Sequence, residues 1–243
     1  MQACRYGTLP LSINHDYQSR MHTTTTKEHK IAMLWKALLL ISIVTLLACT
    51  IYILYQRQYA SPPTTIADLQ QQLEQLGFYK YAQPSDIARL KVESAASGYL
   101  FGDERLHRDY PADAEDLAEG EVKAFIDELA PQLRLLGVRI DSVTQHITDD
   151  TDYRVTVNGQ PYIIYHANEI HANDLWQRAS TRTFALVNAL LAKAGSDEQL
   201  YQLSGGNDGR AILLTPEMYA TIKASQLVAE KNLPQPVPAS QLK

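Results

Sequence analysis

Residues 153–165, YRVTVNGQPYIIY, decide the fold class of this chain. Two short runs of β-branched, aromatic and other apolar residues, 153–157 and 162–165, flank Asn158-Gly159, the dipeptide most typical of a two-residue hairpin turn. Pro161 lacks an amide hydrogen, so the returning strand is expected at an edge of its sheet. The stretch therefore predicts an antiparallel hairpin.

Helices and further short strands are predicted on both sides of this hairpin. Apolar residues at helical spacing predict helices over residues 65–76, 84–97, 122–136, 175–194 and 215–225. Short strands are predicted at residues 99–101, 138–144, 200–203 and 210–214. Because the strands are short and joined by tight turns, the sequence predicts an α+β fold, a mostly antiparallel sheet with helices packed on it.

An uninterrupted apolar run precedes this domain. Residues 37–54 read ALLLISIVTLLACTIYIL and contain no charge. As a helix rising 1.5 Å per residue, the run would span roughly 27 Å, close to the thickness of a bilayer's hydrocarbon core. We predict a single transmembrane helix that contacts the lipid bilayer from Ala37 to Tyr55.

The charges that flank this run predict its orientation. Lys27, Lys30 and Lys36 precede the run, whereas Arg57 alone follows it closely. Positively charged flanks stay on the cytoplasmic side of a membrane. The N-terminus is therefore expected in the cytoplasm of a bacterium, with the domain beyond the inner membrane, in the periplasm or outside the cell.

A second mode of anchoring is open. Residues 46–49, LLAC, resemble the lipobox of bacterial lipoproteins, with Cys49 as the lipidated residue and a signal peptide starting near Met33. Leu47 is larger than that pattern prefers, and residues 50–55 stay apolar after the cysteine. Met21 and Met33 are both plausible translation starts. Either anchor places the domain on the same side of the membrane.

Composition adds limits on the domains and their partners. The sequence predicts a disordered tail (1–30), the anchor (31–57), a linker (58–64), a soluble α+β domain (65–226) and a second disordered tail (227–243).

The formal net charge is −5, and no basic stripe suited to nucleic acid is present. Cys4 and Cys49 lie outside the domain, which leaves it without disulfide or thiolate chemistry.

Two clusters are candidates for contact with another protein. The first is acidic and begins a helix, where carboxylates complement the helix dipole: Asp113, Glu115, Asp116 and Glu119. It lacks the alternation and loop glycine of an EF-hand. The second lies at the start of the long helix and combines an aromatic residue with arginines, a frequent composition of interface anchors: Trp176, Arg178 and Arg182.

Motifs of catalysis or cofactor binding are missing from the sequence. The glycine-rich loop 204–209, SGGNDG, is not followed by the Lys-Ser/Thr of a P-loop. Neither Ser180 nor Ser204 lies in a GxSxG context, and the histidines form no HExxH zinc motif. We therefore expect no metal or other cofactor and assign no catalytic residue.

Four stretches resemble a bacterial domain family whose activity is uncharacterised. They are residues 76–82 (LGFYKYA), 112–120 (ADAEDLAEG), 205–208 (GGND) and 214–217 (LTPE). The resemblance covers most of the domain and implies no activity or functional residue. Soluble members of such a family would imply that the anchor is an addition to the fold.

These observations favour a membrane-anchored protein-binding module outside the cytoplasm. One specific form is an immunity-like protein that neutralises an incoming toxin. The alternatives are an assembly subunit of an envelope complex and a lipoprotein-anchored hydrolase. A hydrolase would need a site built from Asp103, His107, Asp113 and Glu115.

Overall fold

The computed structural model describes residues 33, 35–36, 38–52, 63–148 and 151–242, which belong to two units, 1–61 and 62–243. In the first unit, residues 38–52 are helical and exposed. The hydroxyls of Thr45 and Thr50 donate to the carbonyls of Ile41 and Leu46, both at 2.8 Å. Among the described residues, none of the helices combines the length and apolar character needed to cross a membrane.

Parts of the predicted N-terminal segments lie outside the described residues. These parts are the tail 1–30, residues 31–32, 34, 37 and 53–57 of the predicted anchor segment 31–57, and residues 58–62 of the linker. The transmembrane helix therefore stays a prediction.

The second unit contains helices and strands in alternation. Its helices are α1 (Ile66–Gln75), α2 (Pro84–Ser97), α3 (Ala114–Glu119), α4 (Val122–Leu135), α5 (Leu175–Lys193) and α6 (Pro216–Ser225). Its strands are β1 (Asp109–Pro111), β2 (Val143–Thr148), β3 (Thr151–Val157), β4 (Gln160–Tyr165), β5 (Gln199–Ser204), β6 (Arg210–Leu214) and β7 (Gln235–Pro236).

The strands form two antiparallel sheets, in the orders β1-β6-β5-β7 and β2-β3-β4. This confirms the α+β fold with antiparallel pairing. The hairpin turn has φ of 50° at Asn158 and 79° at Gly159, the two positive values of a type I′ turn. Pro161 lies in β4, an edge strand, as its missing amide hydrogen predicts.

The four-stranded sheet lies between two hydrophobic cores. Side chains alternate along β6, so that Ala211 and Leu213 pack into one core and Ile212 and Leu214 into the other. The first core contains side chains of α3, α4, α5 and the three-stranded sheet. The second core contains side chains of α1, α2 and α6. The sheet is therefore covered on both faces.

Two predicted strands differ from the structure: one is not formed, and the other begins later than predicted. Residues 99–101 form no strand, because Leu100 and Phe101 instead fill the second core from a loop. The strand predicted at 138–144 begins only at Val143. The side chain of Asn158 holds the preceding residues as a loop by accepting from the amide of Asp141 at 2.7 Å and donating to the carbonyl of Arg139 at 2.7 Å.

The C-terminal segment predicted to be disordered packs against the domain as far as residue 242. Strand β7 pairs with β5, and Val237 is 7% exposed. The side-chain amide of Asn188 donates to the carbonyl of Val237 at 2.8 Å. Prolines are tolerated in an edge strand, so the proline content of this segment does not prevent pairing. Folded structure thus continues past residue 226.

A buried arginine joins several of these elements. Arg108 is 0% exposed, and its guanidinium donates to the carbonyls of Gly77, Phe78 and Leu213 at 2.9, 2.6 and 2.9 Å. Its Nη1 also lies 3.1 Å from Glu198 Oε1, and that carboxylate is 0% exposed as well. The arginine thereby ties the turn after α1 and the residue before β5 to the middle of the sheet.

We expect Arg108→Met to lower the free energy of unfolding by about 3–5 kcal/mol, because removing one partner of a buried ion pair leaves the other charge inadequately compensated. Lys80, whose Nζ lies 2.8 Å from Glu198 Oε1, would be the remaining cation beside that carboxylate within the described residues. Urea unfolding followed by circular dichroism measures the loss.

Arg139→Met is the matched control, because Arg139 pairs with Asp141 at the surface and its side chain is 85% exposed. Arg139→Met should change the free energy of unfolding by no more than about 0.5 kcal/mol. Equal losses in the two variants would show that the buried pair does not stabilise the fold.

Candidate interaction site

Two residues of the predicted acidic cluster, Asp113 and Asp116, line one wall of a surface groove of about 410 Å³, whereas Glu115 and Glu119 do not line it. The groove runs between the segment that leads into α3 and the exposed side of α4. Its lining combines apolar residues, mainly at its base, with four carboxylates: Pro111, Ala112, Leu117, Ala124 and Phe125, with Asp113, Asp116, Glu121 and Glu128.

Asp113 fixes the start of α3. Its side chain accepts from the amides of Glu115 and Asp116 at 2.8 and 3.4 Å, as an N-cap residue does. Leu117 and Ala118 on the opposite face of this short helix are buried in the first core. The cap and the buried face together turn Asp116 toward the groove.

The opposite wall is a stripe along α4. Glu121, Ala124, Phe125 and Glu128 are spaced i, i+3, i+4 and i+7, so they share one face of the helix. Phe125 is 5% exposed and packs against Phe184, with ring centroids 5.8 Å apart. An aromatic side chain that belongs to the core thereby closes the base of the groove, while the two glutamates stay at its rim.

The charge of the groove is not neutralised by the described part of the chain. None of its four carboxylates forms an ion pair with a described residue, and no basic side chain from that part lines it. Lys123, on the same helix, pairs instead with Asp127. Four carboxylates repel one another, so the groove attracts positive charge.

The glycine-rich loop supports α3 from the other side. The amide of Ala114 donates to the carbonyl of Gly206 at 3.2 Å, and the amide of Ala112 donates to the carbonyl of Gly209 at 2.7 Å. Asn207 Nδ2 donates to Glu115 Oε2 at 2.9 Å. The hairpin loop therefore holds Glu115 and positions the acidic helix, a contact between residues more than ninety positions apart.

Glu119 and Trp176 lie outside the groove lining. Glu119 is exposed at the end of α3, and Trp176 is 42% exposed in the first turn of α5. The structure thus places the seven residues predicted for interaction in more than one location.

Both predicted arginines pair with the carboxylate of Glu169, and Arg178 pairs with Asp174 as well. Arg182 donates to both oxygens of Glu169 at 2.6 and 3.0 Å, and Arg178 donates to Glu169 at 2.7 Å and to Asp174 at 2.8 Å. Arg182 also donates to the carbonyl of Ile164 at 3.0 Å. These bonds fasten the turn Ala167–Glu169 to α5, so both guanidinium groups already have partners.

The residues of the hydrolase alternative are dispersed. Asp103 lines a different cavity, Asp113 lines the groove, and His107 is exposed. In the described ranges, no three residues of the metal-binding types lie close enough to hold a metal ion.

Sequence reasoning missed Glu121 and Glu128. Their signal was present, since both lie four residues or fewer from Phe125 on one helical stripe. Finding them required knowledge that α3 packs beside this stripe and leaves a groove.

Gly209→Ala tests the contact that positions the acidic helix. A Cβ atom at Gly209 would lie 2.2 Å from the carbonyl oxygen of Ala112, which is backbone and cannot move away freely. We expect a loss of about 2–3 kcal/mol in the free energy of unfolding, measured by urea unfolding.

Gly205→Ala is the matched control in the same loop. Its nearest neighbour would be Gln202 Nε2 at 2.8 Å, the end of a flexible side chain that can rotate away. A control that loses as much stability as Gly209→Ala would contradict a specific contact with Ala112.

The ion pairs of Glu169 with Arg178 and Arg182 predict that the stability of the fold depends on pH. Hydrogen bonds from Arg182, with smaller contributions from the backbone amide of His166 and from Arg178, lower the pKa of Glu169 to about 2. A carboxylate with a lowered pKa stabilises the folded state fully above its unfolded pKa and loses that contribution as pH falls toward the folded value. Glu169→Gln should therefore cost on the order of 2–3 kcal/mol at neutral pH.

The difference in the free energy of unfolding between the parent chain and Glu169→Gln should shrink as pH falls from about 4.5 to about 2. Urea unfolding at a series of pH values measures it. A difference that does not change with pH would mean that the charge of Glu169 makes no contribution.

The comparisons with known proteins supply no relative. No family model, curated protein or solved structure matches this chain. A proposal for its function therefore rests on the residues and geometry described above.

Proposed function

We propose that this chain is a membrane-tethered protein-binding module whose acidic groove takes a basic segment of a partner protein. The observation that carries the proposal is the groove with four carboxylates that have no cationic partner among the described residues. Complementary charge gives specificity and speeds association.

The carboxylates that the fold encloses are paired, whereas those that line the groove are not paired within the described part of the chain. Buried and half-buried carboxylates such as Asp109, Glu169 and Glu198 have arginine or lysine partners within 3.1 Å. The groove carboxylates have no such partner among the described residues. A partner's lysine or arginine side chains would supply one.

The groove also fits a segment that is not uniformly charged. Leu117 and Phe125 are buried and form an apolar base, and the exposed Ala124 lies beside the acidic side chains of the lining. Glu121 and Glu128 are seven residues apart on a helix, which corresponds to about 10 Å. A partner segment with two basic residues at that separation and an apolar residue between them would contact both the base and the rims.

Membrane attachment belongs to the same proposal. The apolar run from Ala37 to Tyr55 would hold the domain beyond the inner membrane, either as a spanning helix or through lipid on Cys49. The support is the sequence of the run. Neutralising a toxin that arrives in the periplasm is one role that such a tethered acidic surface would suit.

Site-specific photocrosslinking in the native membrane tests the proposal. A photoreactive phenylalanine at Ala124, inside the groove, should crosslink one major partner through a segment that contains at least two basic residues. The same amino acid at Val92, which is 69% exposed on α2, should not capture it. Mass spectrometry identifies the crosslinked segment and, from the N-terminus of the same chain, the form of the anchor.

Charge reversal provides the control. Asp116→Lys with Glu128→Lys should lower the yield of the crosslink by about tenfold, whereas Asp197→Lys with Glu230→Lys, the same charge change at exposed positions away from the groove, should not. A crosslink that survives reversal of the groove charge, or that maps to an acidic or uncharged segment, would refute the proposal.

A further inference from the structure

One edge of the four-stranded sheet reaches the acidic groove at the end of β1. Pro111, Ala112 and Asp113 follow one another along that edge, and all three line the groove. We propose that the partner's basic segment binds there in an extended conformation, as a short strand added beside residues 111–113. This inference rests on the proposed function and specifies the backbone conformation and the residue pattern of the segment.

The backbone groups along this edge alternate in direction. The carbonyl of Arg108 accepts from β6 at 2.8 Å, and the amides of Ala112 and Ala114 donate to the loop 204–209 at 2.7 and 3.2 Å. The even-numbered residues therefore face β6 and the loop before it. Since successive residues of a strand direct their backbone groups to opposite sides, residues 109, 111 and 113 face away from the sheet.

Two of the outward backbone groups have no hydrogen-bond partner within the described part of the chain. They are the carbonyl of Pro111, an exposed residue, and the amide of Asp113. At the other end of β1, Asp109 is 5% exposed, and its side chain accepts from the amide of Gly102. The open part of the edge therefore coincides with the groove.

An added strand would satisfy both groups, whereas a helix would not. An extended partner can donate one amide hydrogen to Pro111 and accept from Asp113 with one carbonyl, as in other cases of strand addition. Amides and carbonyls in the body of an α-helix already bond to each other, so a helical segment would leave both groups of the edge unsatisfied. Because Pro111 has no amide hydrogen, the edge offers no donor before Asp113, and the added strand stays short.

The lining of the groove predicts the residue pattern of the strand. Leu117 and Phe125 form the apolar base, and Asp116, Glu121 and Glu128 supply negative charge around it. Successive side chains of a strand point to opposite faces. An apolar residue would therefore contact the base, and the long basic side chains on either side of it would reach the carboxylates. The expected pattern is basic, apolar, basic.

The test is a titration of two labelled peptides with the full chain, in a maltoside detergent, followed by fluorescence anisotropy. The extended probe is Ser-Thr-Lys-Val-Lys-Thr-Ser, whose β-branched residues favour a strand. The helical probe is an alanine-rich peptide of about 16 residues, with two lysines seven positions apart and a leucine between them. Both probes carry two lysines, and the extended probe should bind about tenfold more tightly.

Asp113→Pro tests the outward amide. The φ angle of Asp113 is −57°, which fits proline, so the substitution removes the amide hydrogen without a new backbone conformation. Asp113→Ala is the matched control, because it removes the same carboxylate and helix cap but keeps the amide. The extended probe should bind Asp113→Pro about fivefold to tenfold more weakly than Asp113→Ala. Thermal unfolding confirms that both variants are folded.

Methylation of the probe's own amides tests the strand without changing the protein. N-methylation removes one amide hydrogen at a time along the extended probe. The methyl group at one residue should weaken binding about fivefold to tenfold, because that amide donates to Pro111, whereas methylation of its neighbours should not.

The outcomes separate this inference from the proposed function. Equal binding to Asp113→Pro and Asp113→Ala, no position sensitive to N-methylation, or tighter binding of the helical probe would each overturn the added strand. In those cases the groove would still take a basic segment. Failure of both probes to bind would also overturn it, and the crosslink from Ala124 shows independently whether the groove has a partner. Binding of the extended probe that survives Asp116→Lys with Glu128→Lys would place it outside the groove.

Discussion

Arg108 places a full positive charge at a point with no exposed surface, and the surrounding structure must satisfy it. The guanidinium donates to carbonyls in the turn after α1 and in β6, and it pairs with the carboxylate of the residue before β5. Because a buried charge without partners is very costly, these segments are constrained to converge on it. The two cores thereby keep a fixed relation across the four-stranded sheet.

The same requirement explains why enclosed carboxylates are paired, whereas the exposed carboxylates of the acidic groove can lack a cationic partner among the described residues. Asp109 and Glu169 are satisfied by arginines where the fold encloses them. Asp116, Glu121 and Glu128 lie at a rim, where water lowers the cost of leaving a carboxylate unpaired.

Residues in the stretches that resemble the bacterial domain family form tertiary contacts in the structure. Gly77 and Phe78 accept from Arg108, and the loop containing Gly206 and Asn207 binds the start of α3. Gly209 is required there because a side chain would collide with the carbonyl of Ala112. Gly209 therefore allows close backbone approach, and the side chain of Asn207 holds Glu115, so that the loop supports α3 beside the groove.

Local patterns in the sequence determined the elements whose signals are contained within a few residues. The Asn158-Gly159 hairpin, the edge position of Pro161, strand β6 and the bounds of α2 and α6 are all as predicted, because turn chemistry and capping act over short distances.

Only the tertiary structure decided what depends on distant contacts. Residues 99–101 fill a core and form no strand, the proline-rich C-terminus pairs as an edge strand, and Arg178 and Arg182 are held by Glu169. The groove likewise exists because α3, α4 and the 204–209 loop pack together. Burial and charge pairing are properties of surfaces that meet in space, and no local period in the sequence records which surfaces will meet.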